Sequence, residues 1–325
     1  MQILITILER LAYATILLLA VLVLNFSMIY LAPGDVADTI ASSMGGANAE
    51  LMTQIRSEYG LDQPFIVQLS SYIGRVLSFD LGHSYFYNRP VIDLILERLP
   101  ATLLLVLCAQ TFSLVVGVVV GVLSARNPNG ILSHFVTLIS LFGYAAPVFW
   151  TGILLLIAFS LKIPLFPVAG MQDVTVSGNF LIHTLDVLHH LVLPMLALGS
   201  IFIALYSRLC RASMLEVLGS DYVRTARAKG LSERQVVMKH ALKNALPPVV
   251  TLAGLQFSGV ISGAVLVESV FSWPGLGQLA LSSILARDTP TILGILFFSA
   301  LVVIIGNITT DLVLRMIDPR VRGKT

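Results

Sequence analysis

The chain has 325 residues, 56% of them hydrophobic and only 12% charged, with a mean hydropathy of +0.89. So much apolar surface excludes a soluble protein of ordinary composition and points to an integral membrane protein. The formal net charge of +2 is small, so where the charges sit says more than their sum.

A helix needs about 20 apolar residues to cross roughly 30 Å of hydrocarbon. Six runs qualify: Leu11 to Leu31, Ala101 to Leu123, Phe135 to Leu161, Leu191 to Leu209, Leu246 to Val267, and Ile292 to Leu314. The first is too long for the apolar part of a signal peptide and has no small-x-small cleavage site before Pro33, which predicts a retained helix. Cys108 and Cys210 fall inside apolar runs, far apart, and imply no disulfide framework. With the N terminus cytoplasmic, Lys and Arg concentrate on that side, notably Arg224, Arg227, Lys229, Arg234, Lys239 and Lys243. The positive-inside bias then predicts both termini in the cytoplasm.

Between the first two runs lies a long segment of mixed polarity. Glu50 to Tyr59 has helical composition and stops at Gly60, and a second amphipathic stretch runs from Phe65 to Leu77. Leu61, Phe65, Ile66, Leu69, Tyr72 and Ile73 predict a small packed external cap. Farther on, Gly117 and Gly121 form one G-x-x-x-G and Gly259 and Gly263 another, spacings that let helix backbones approach. Pro147 and Pro194 predict kinks in the third and fourth runs, as compatible with plain structure as with gating. Asn25, Gln110, Gln256, Asn307 and Asp311 are polar groups in apolar runs; Asp311 has Arg315 one turn on as an ordinary ion-pair partner.

Asp221 to Pro248 is a basic, amphipathic insertion that neither flanking apolar run could carry into a bilayer. Tyr222 to Lys229 reads as a short helix stopped by Gly230, which takes the left-handed conformation without steric cost. Ser232 and Gln235 make a capping box for a second helix, expected to run to Leu246 because Pro247 and Pro248 follow. This helix, glycine turn, helix resembles the cytoplasmic coupling loop, or EAA loop, of ABC importer membrane subunits, with Arg224-Thr225-Ala226, three residues, then Gly230. Arg224 stands where that family has its first acidic residue. YVRTARAKGLSER followed by HALKNALPPVVT resembles the dipeptide/oligopeptide/nickel permease branch, as do LAPGD, YGLDQP and FDLGHSYFYNRPV nearer the start. VESVFSWPGLGQLA, Val267 to Ala280, also resembles that branch, and its Trp273-Pro274-Gly275 is a turn signal among aromatics suited to a membrane interface.

The resemblance implies an all-α membrane protein with six transmembrane helices, an external helical cap and a cytoplasmic helix-turn-helix coupling loop. Residues 1–100 would form the first helix and cap, and residues 101–325 the core permease domain, with the loop at 215–248. It further implies a second homologous permease, two ABC ATPase subunits, an extracytoplasmic substrate-binding protein, the lipid bilayer of the bacterial inner membrane, and no nucleic acid as partners. Tyr222, Arg224, Thr225, Ala226, Lys229, Gly230 and Leu231 would contact the ATPase, and Glu268, Trp273, Pro274 and Gly275 would stand at the external mouth near the binding protein. No G-x-x-x-x-G-K-[ST], H-E-x-x-H or G-x-S-x-G occurs, so ATP and Mg would be bound by partner subunits, with no cofactor or metal here and no catalysis. No run embeds a series of carboxylates and histidines, which weighs against proton-coupled secondary transport. His183, His189 and His190 read as a solvated or interfacial cluster, with a nickel path as the alternative. Short peptides are the favoured cargo, with nickel or another small solute as the alternative.

Overall fold

The computed structural model describes residues 2–31, 53, 57, 62–84, 86–131, 133, 134, 136, 146–176 and 178–317. The helix expected over Glu50 to Tyr59, most of the first half of the third run, and the side chains of Asp311 and Arg315 lie outside that description. The elements are α1 (Gln2–Leu31), α2 (Phe65–Leu77), a two-residue antiparallel pair β1 (His83–Ser84) and β2 (Arg89–Pro90), α3 (Val91–Arg126), and α4 (Val148–Leu156). They continue with α5 (Phe180–Leu218), α6 (Asp221–Ala228), α7 (Glu233–Gln235), α8 (Leu242–Leu255), α9 (Phe257–Val270), α10 (Leu276–Leu285) and α11 (Thr289–Ile317). Wide π-helical turns extend α4 over Ile157–Lys162 and join α7 to α8 over Val236–Ala241.

Among the described residues α3, α5 and α11 are long and apolar enough to cross a bilayer, and the run from α7 to α9 is a fourth if its two halves, bent by 51°, count as one span. The fold is that of an all-α membrane protein. The fifth run was expected to be continuous, yet it breaks at Gln256. Next to the break Gln110, on α3, donates its carboxamide N–H to the Ala253 carbonyl at 2.9 Å. Pro247 and Pro248 do not end a helix either, since both lie inside α8. The carbonyls they deprive of a donor belong to Lys243 and Asn244, which are exposed and open to water. Pro147 precedes the first turn of α4 rather than kinking it, whereas Pro194 is internal to α5.

Two compact units divide the chain: Met1–Ala101 with Gly275–Ile305, and Thr102–Pro274 with Gly306–Thr325. In the first, Leu22, Tyr72, Val76, Val91, Ile95, Leu276 and Phe298 belong to one apolar core. Phe26 packs between Phe65 and Tyr72, at ring distances of 5.6 and 5.3 Å, tying α2 to α1. In the second, Gly117 and Gly121 do bring α3 against α5: a Cβ at Gly117 would lie 2.7 Å from the Tyr206 Cβ, and one at Gly121 2.6 Å from that of Cys210. In the other G-x-x-x-G only Gly263 is close to a neighbour, a Cβ there lying 3.0 Å from the Leu198 Cδ1 on α5. A Cβ at Gly259 would meet nothing nearer than 3.8 Å.

Candidate functional site

α6 is amphipathic and its two faces do different work. Val223 and Ala226 are buried with Val236, and Val217, Leu218 and Leu231 pack around them. Tyr222, Arg224, Thr225 and Lys229 are exposed, forming a polar ridge carried on that small apolar base. Ala226, expected to touch an ATPase, therefore supports the ridge from beneath, and half-buried Leu231 does so in part. The helix covers Asp221–Ala228, one residue earlier than expected, with Lys229 as its C-cap.

Gly230 turns the chain at φ +77°, its N–H bonded to the Arg227 carbonyl at 2.9 Å. An added Cβ there would meet nothing within 4 Å, so only the left-handed backbone calls for glycine. Ser232 and Gln235 form the expected capping box. Two features escaped the sequence. Arg227 and Glu233 brace the turn with N···O distances of 2.8 and 3.1 Å, and the hydrogen bond from Arg227 holds the Glu233 carboxyl below its usual range. Asn244 Nδ2 also donates to the Tyr222 hydroxyl at 2.9 Å, fastening α6 to α8. No local pattern could have signalled a pair 22 residues apart.

Most of the residues expected at the external mouth are buried. Glu268 and Trp273 are both fully buried. Thr102 donates its hydroxyl to Glu268 Oε1 at 2.7 Å, and the Trp273 N–H bonds the Glu268 carbonyl at 2.9 Å. Ser272 makes the turn at φ +49°. Pro274 is half-buried and Gly275 buried, while Ser272 is exposed, so Glu268 and Trp273 pack into the protein instead of forming an exposed contact. The turn falls at Phe271 and Ser272, just before the expected Trp273-Pro274-Gly275, and that signal carried no information about which way the indole faces.

The histidines separate too. His190 is buried, its Nδ1 3.2 Å from Asp186 Oδ1, while Asp186 Oδ2 accepts the Asp173 N–H at 2.7 Å. His189 Nε2 lies 2.8 Å from the Leu165 carbonyl, and its ring is tilted by 46° against Phe166 at 5.3 Å. His190 is thus not solvated, because Asp186 one turn earlier supplies a partner inside. On the loop, hydrogen bonds from Thr175 hold the Asp173 carboxyl below its usual range.

Residues 117–323 match the family model for the inner membrane component of binding-protein-dependent transport systems, and residues 3–106 match the N-terminal model of such components. The chain belongs to this family. It is a membrane permease of an ABC importer. The permease is 40% identical over 316 residues to a putative peptide transport system permease of Brucella abortus (strain 2308), covering 97% of this chain and 98% of that one. It is 38% identical over 335 residues to the dipeptide transport system permease of Escherichia coli (strain K12), covering 98% of each. An oligopeptide transport system permease of Bacillus subtilis (strain 168) is 38% identical, covering 94% of this chain and 95% of the relative. Among solved structures, an inward-facing methionine ABC transporter aligns with a TM-score of 0.56 at 19% identity, covering 70% of the permease and 97% of that chain. That likeness shows the fold alone.

Proposed function

We propose that the permease forms half of a translocation pathway for short peptides, pairing with a second, homologous permease. Two ATPase subunits dock on its cytoplasmic face and an extracytoplasmic binding protein delivers the cargo. In this reading the chain spans the inner membrane six times with both termini inside. ATP and Mg bind only to the ATPase subunits. The observation that carries it is the polar ridge on α6, exposed at Tyr222, Arg224, Thr225 and Lys229 above a buried base of Val223, Ala226 and Val236. Such a ridge is shaped to sit in a groove of another subunit, while its base passes motion into the membrane helices. ATP-driven closure of the two ATPases then moves both coupling loops as rigid bodies, switching the central cavity between outward and inward access.

The mouth role is narrowed by the burial of Glu268 and Trp273. Those side chains hold the turn in place, and the backbone at Ser272 and Pro274 is the part left to meet a binding protein. The peptide assignment rests on relatives transporting peptides, at about 40% identity over nearly the whole chain.

Uptake of labelled dipeptides, oligopeptides and nickel in cells lacking this chain tests the cargo. Peptide uptake should fall and return on complementation; loss of nickel uptake alone would sink the peptide reading. The orientation has its own test. A cysteine at Val174, 96% exposed, should react with an impermeant thiol reagent from outside, and one at Ser232 should not. Equal labelling of both would overturn the topology.

A further inference from the structure

We propose that Gln110 is a positioning residue for transport, the pin of a hinge at Gln256 that sets the bend between α8 and α9. A helix broken inside hydrocarbon strands backbone groups that no water can serve. Gln256 N–H still bonds the Leu252 carbonyl and Val260 N–H bonds that of Gln256, at 2.9 and 3.0 Å. Ala253 lies in the last turn of α8, where carbonyls have no helical donor to follow. The Gln110 carboxamide takes that carbonyl at 2.9 Å.

The pin is itself held. The Tyr206 hydroxyl, on α5, lies 3.1 Å from Gln110 Nε2 and 3.3 Å from its Oε1, and the Tyr206 side chain is fully buried. Three helices thus converge on one carboxamide: α3 supplies it, α5 orients it and α8 receives it. Every member of this network is neutral. Neutral hydrogen bonds between membrane helices are weak enough to break and reform, whereas a buried ion pair in the same place would resist release. That suits a bend that must change with each cycle.

α8 is also fastened at its other end, where Asn244 meets Tyr222 on the coupling loop. It therefore reaches from the loop proposed to receive ATPase motion to the hinge, and Gln110 fixes where that motion becomes a change of angle. The functional half of this inference rests on the importer reading above; the geometric half does not.

The test uses the permease in its assembled complex, with Cys108→Ala and spin labels at Thr251→Cys and Ser262→Cys, exposed positions on either side of the break. The parent should give one narrow distance distribution. Gln110→Met, similar in volume but without a donor, should shift it to longer distance and broaden it. Tyr206→Phe keeps the bond from Gln110 to Ala253 but frees the carboxamide to turn, and should shift the distribution less than Gln110→Met. If Gln110→Met fails to accumulate, Gln110→Asn, too short to reach Ala253, should give the same shift. Dipeptide uptake by the Gln110 variant should fall about three- to fifteenfold, the range expected for one interhelical hydrogen bond, with KM little changed and ATP hydrolysis retained. A parent-like distribution in the Gln110 variant, or an equal shift in both the Gln110 and Tyr206 variants, overturns the pin. Absence of dipeptide uptake in the parent complex would instead defeat the cargo assignment, and the distances would still decide the hinge.

Discussion

Two turns carry the strongest local signals in this chain, and they serve opposite ends. At Gly230 the backbone turns at φ +77° with open space around the α-carbon, and the neighbouring polar side chains face outward. At Ser272 the backbone turns at φ +49°, and the adjacent Trp273 and Glu268 are wholly buried. The first turn displays a surface; the second packs its flanking side chains into the interior. Turn chemistry is local and can be read from residue order. Whether the flanking side chains face a partner or the interior depends on what packs against them, which residue order does not disclose.

The largest expected effect follows from the buried turn. Trp273→Ala removes the largest fully buried side chain in the structure, and such truncations cost about 3 to 5 kcal/mol. The variant should accumulate poorly in membranes, with a lowered unfolding midpoint in detergent. Normal abundance combined with lost stimulation by the binding protein would return Trp273 to an outward role and erase the contrast between the turns.

What residue order disclosed divides along the same line. The bounds of α2, the glycine turn and the Ser232 box depend on residues a few positions apart, and all three are where pattern and capping chemistry place them. Likewise Gly117 and Gly121 announced a close helix approach. The contact beside the break at Gln256 could not be foreseen, because it joins Gln110 to Ala253, 143 positions away. Prolines at 247 and 248 suggested a helix end that exposure of Lys243 and Asn244 makes unnecessary. Burial of Glu268 depends in part on Thr102, 166 positions away. Short-range chemistry was legible; the pairing of distant polar groups inside a membrane domain was not.

At the exposed turn a smaller and more selective effect is expected. Gly230→Val must hold a β-branched residue at positive φ, a strain of about 1 to 2 kcal/mol, or surrender the angle between α6 and α7. An added Cβ would meet nothing within 4 Å, so the conformational cost is expected to dominate. Membrane abundance should stay near the parent, while substrate-stimulated ATP hydrolysis by the reconstituted complex and retention of ATPase on purification should fall. Gly230→Ala should be milder. A Val variant that assembles and hydrolyses like the parent would mean that the turn displays nothing a partner needs.

The smallest effect is expected at the brace across that turn. Arg227 and Glu233 are both solvent-exposed, at 43% and 52% of their side-chain surface, and pairs of this kind contribute about 0 to 1 kcal/mol. The Glu233 carboxyl has its affinity for protons lowered by the hydrogen bond from Arg227. Its contribution is therefore present above the ordinary carboxylate value and is lost as pH falls through the lowered one. Glu233→Gln should reduce the unfolding midpoint slightly at neutral pH, and the difference from the parent should close on acidification through that window. Salt should shrink it as well, because an exposed pair is screened. A difference that widened as pH fell, or that ignored salt, would show Glu233 acting through some buried contact, and the coupling turn would then resemble the mouth turn in being held from within.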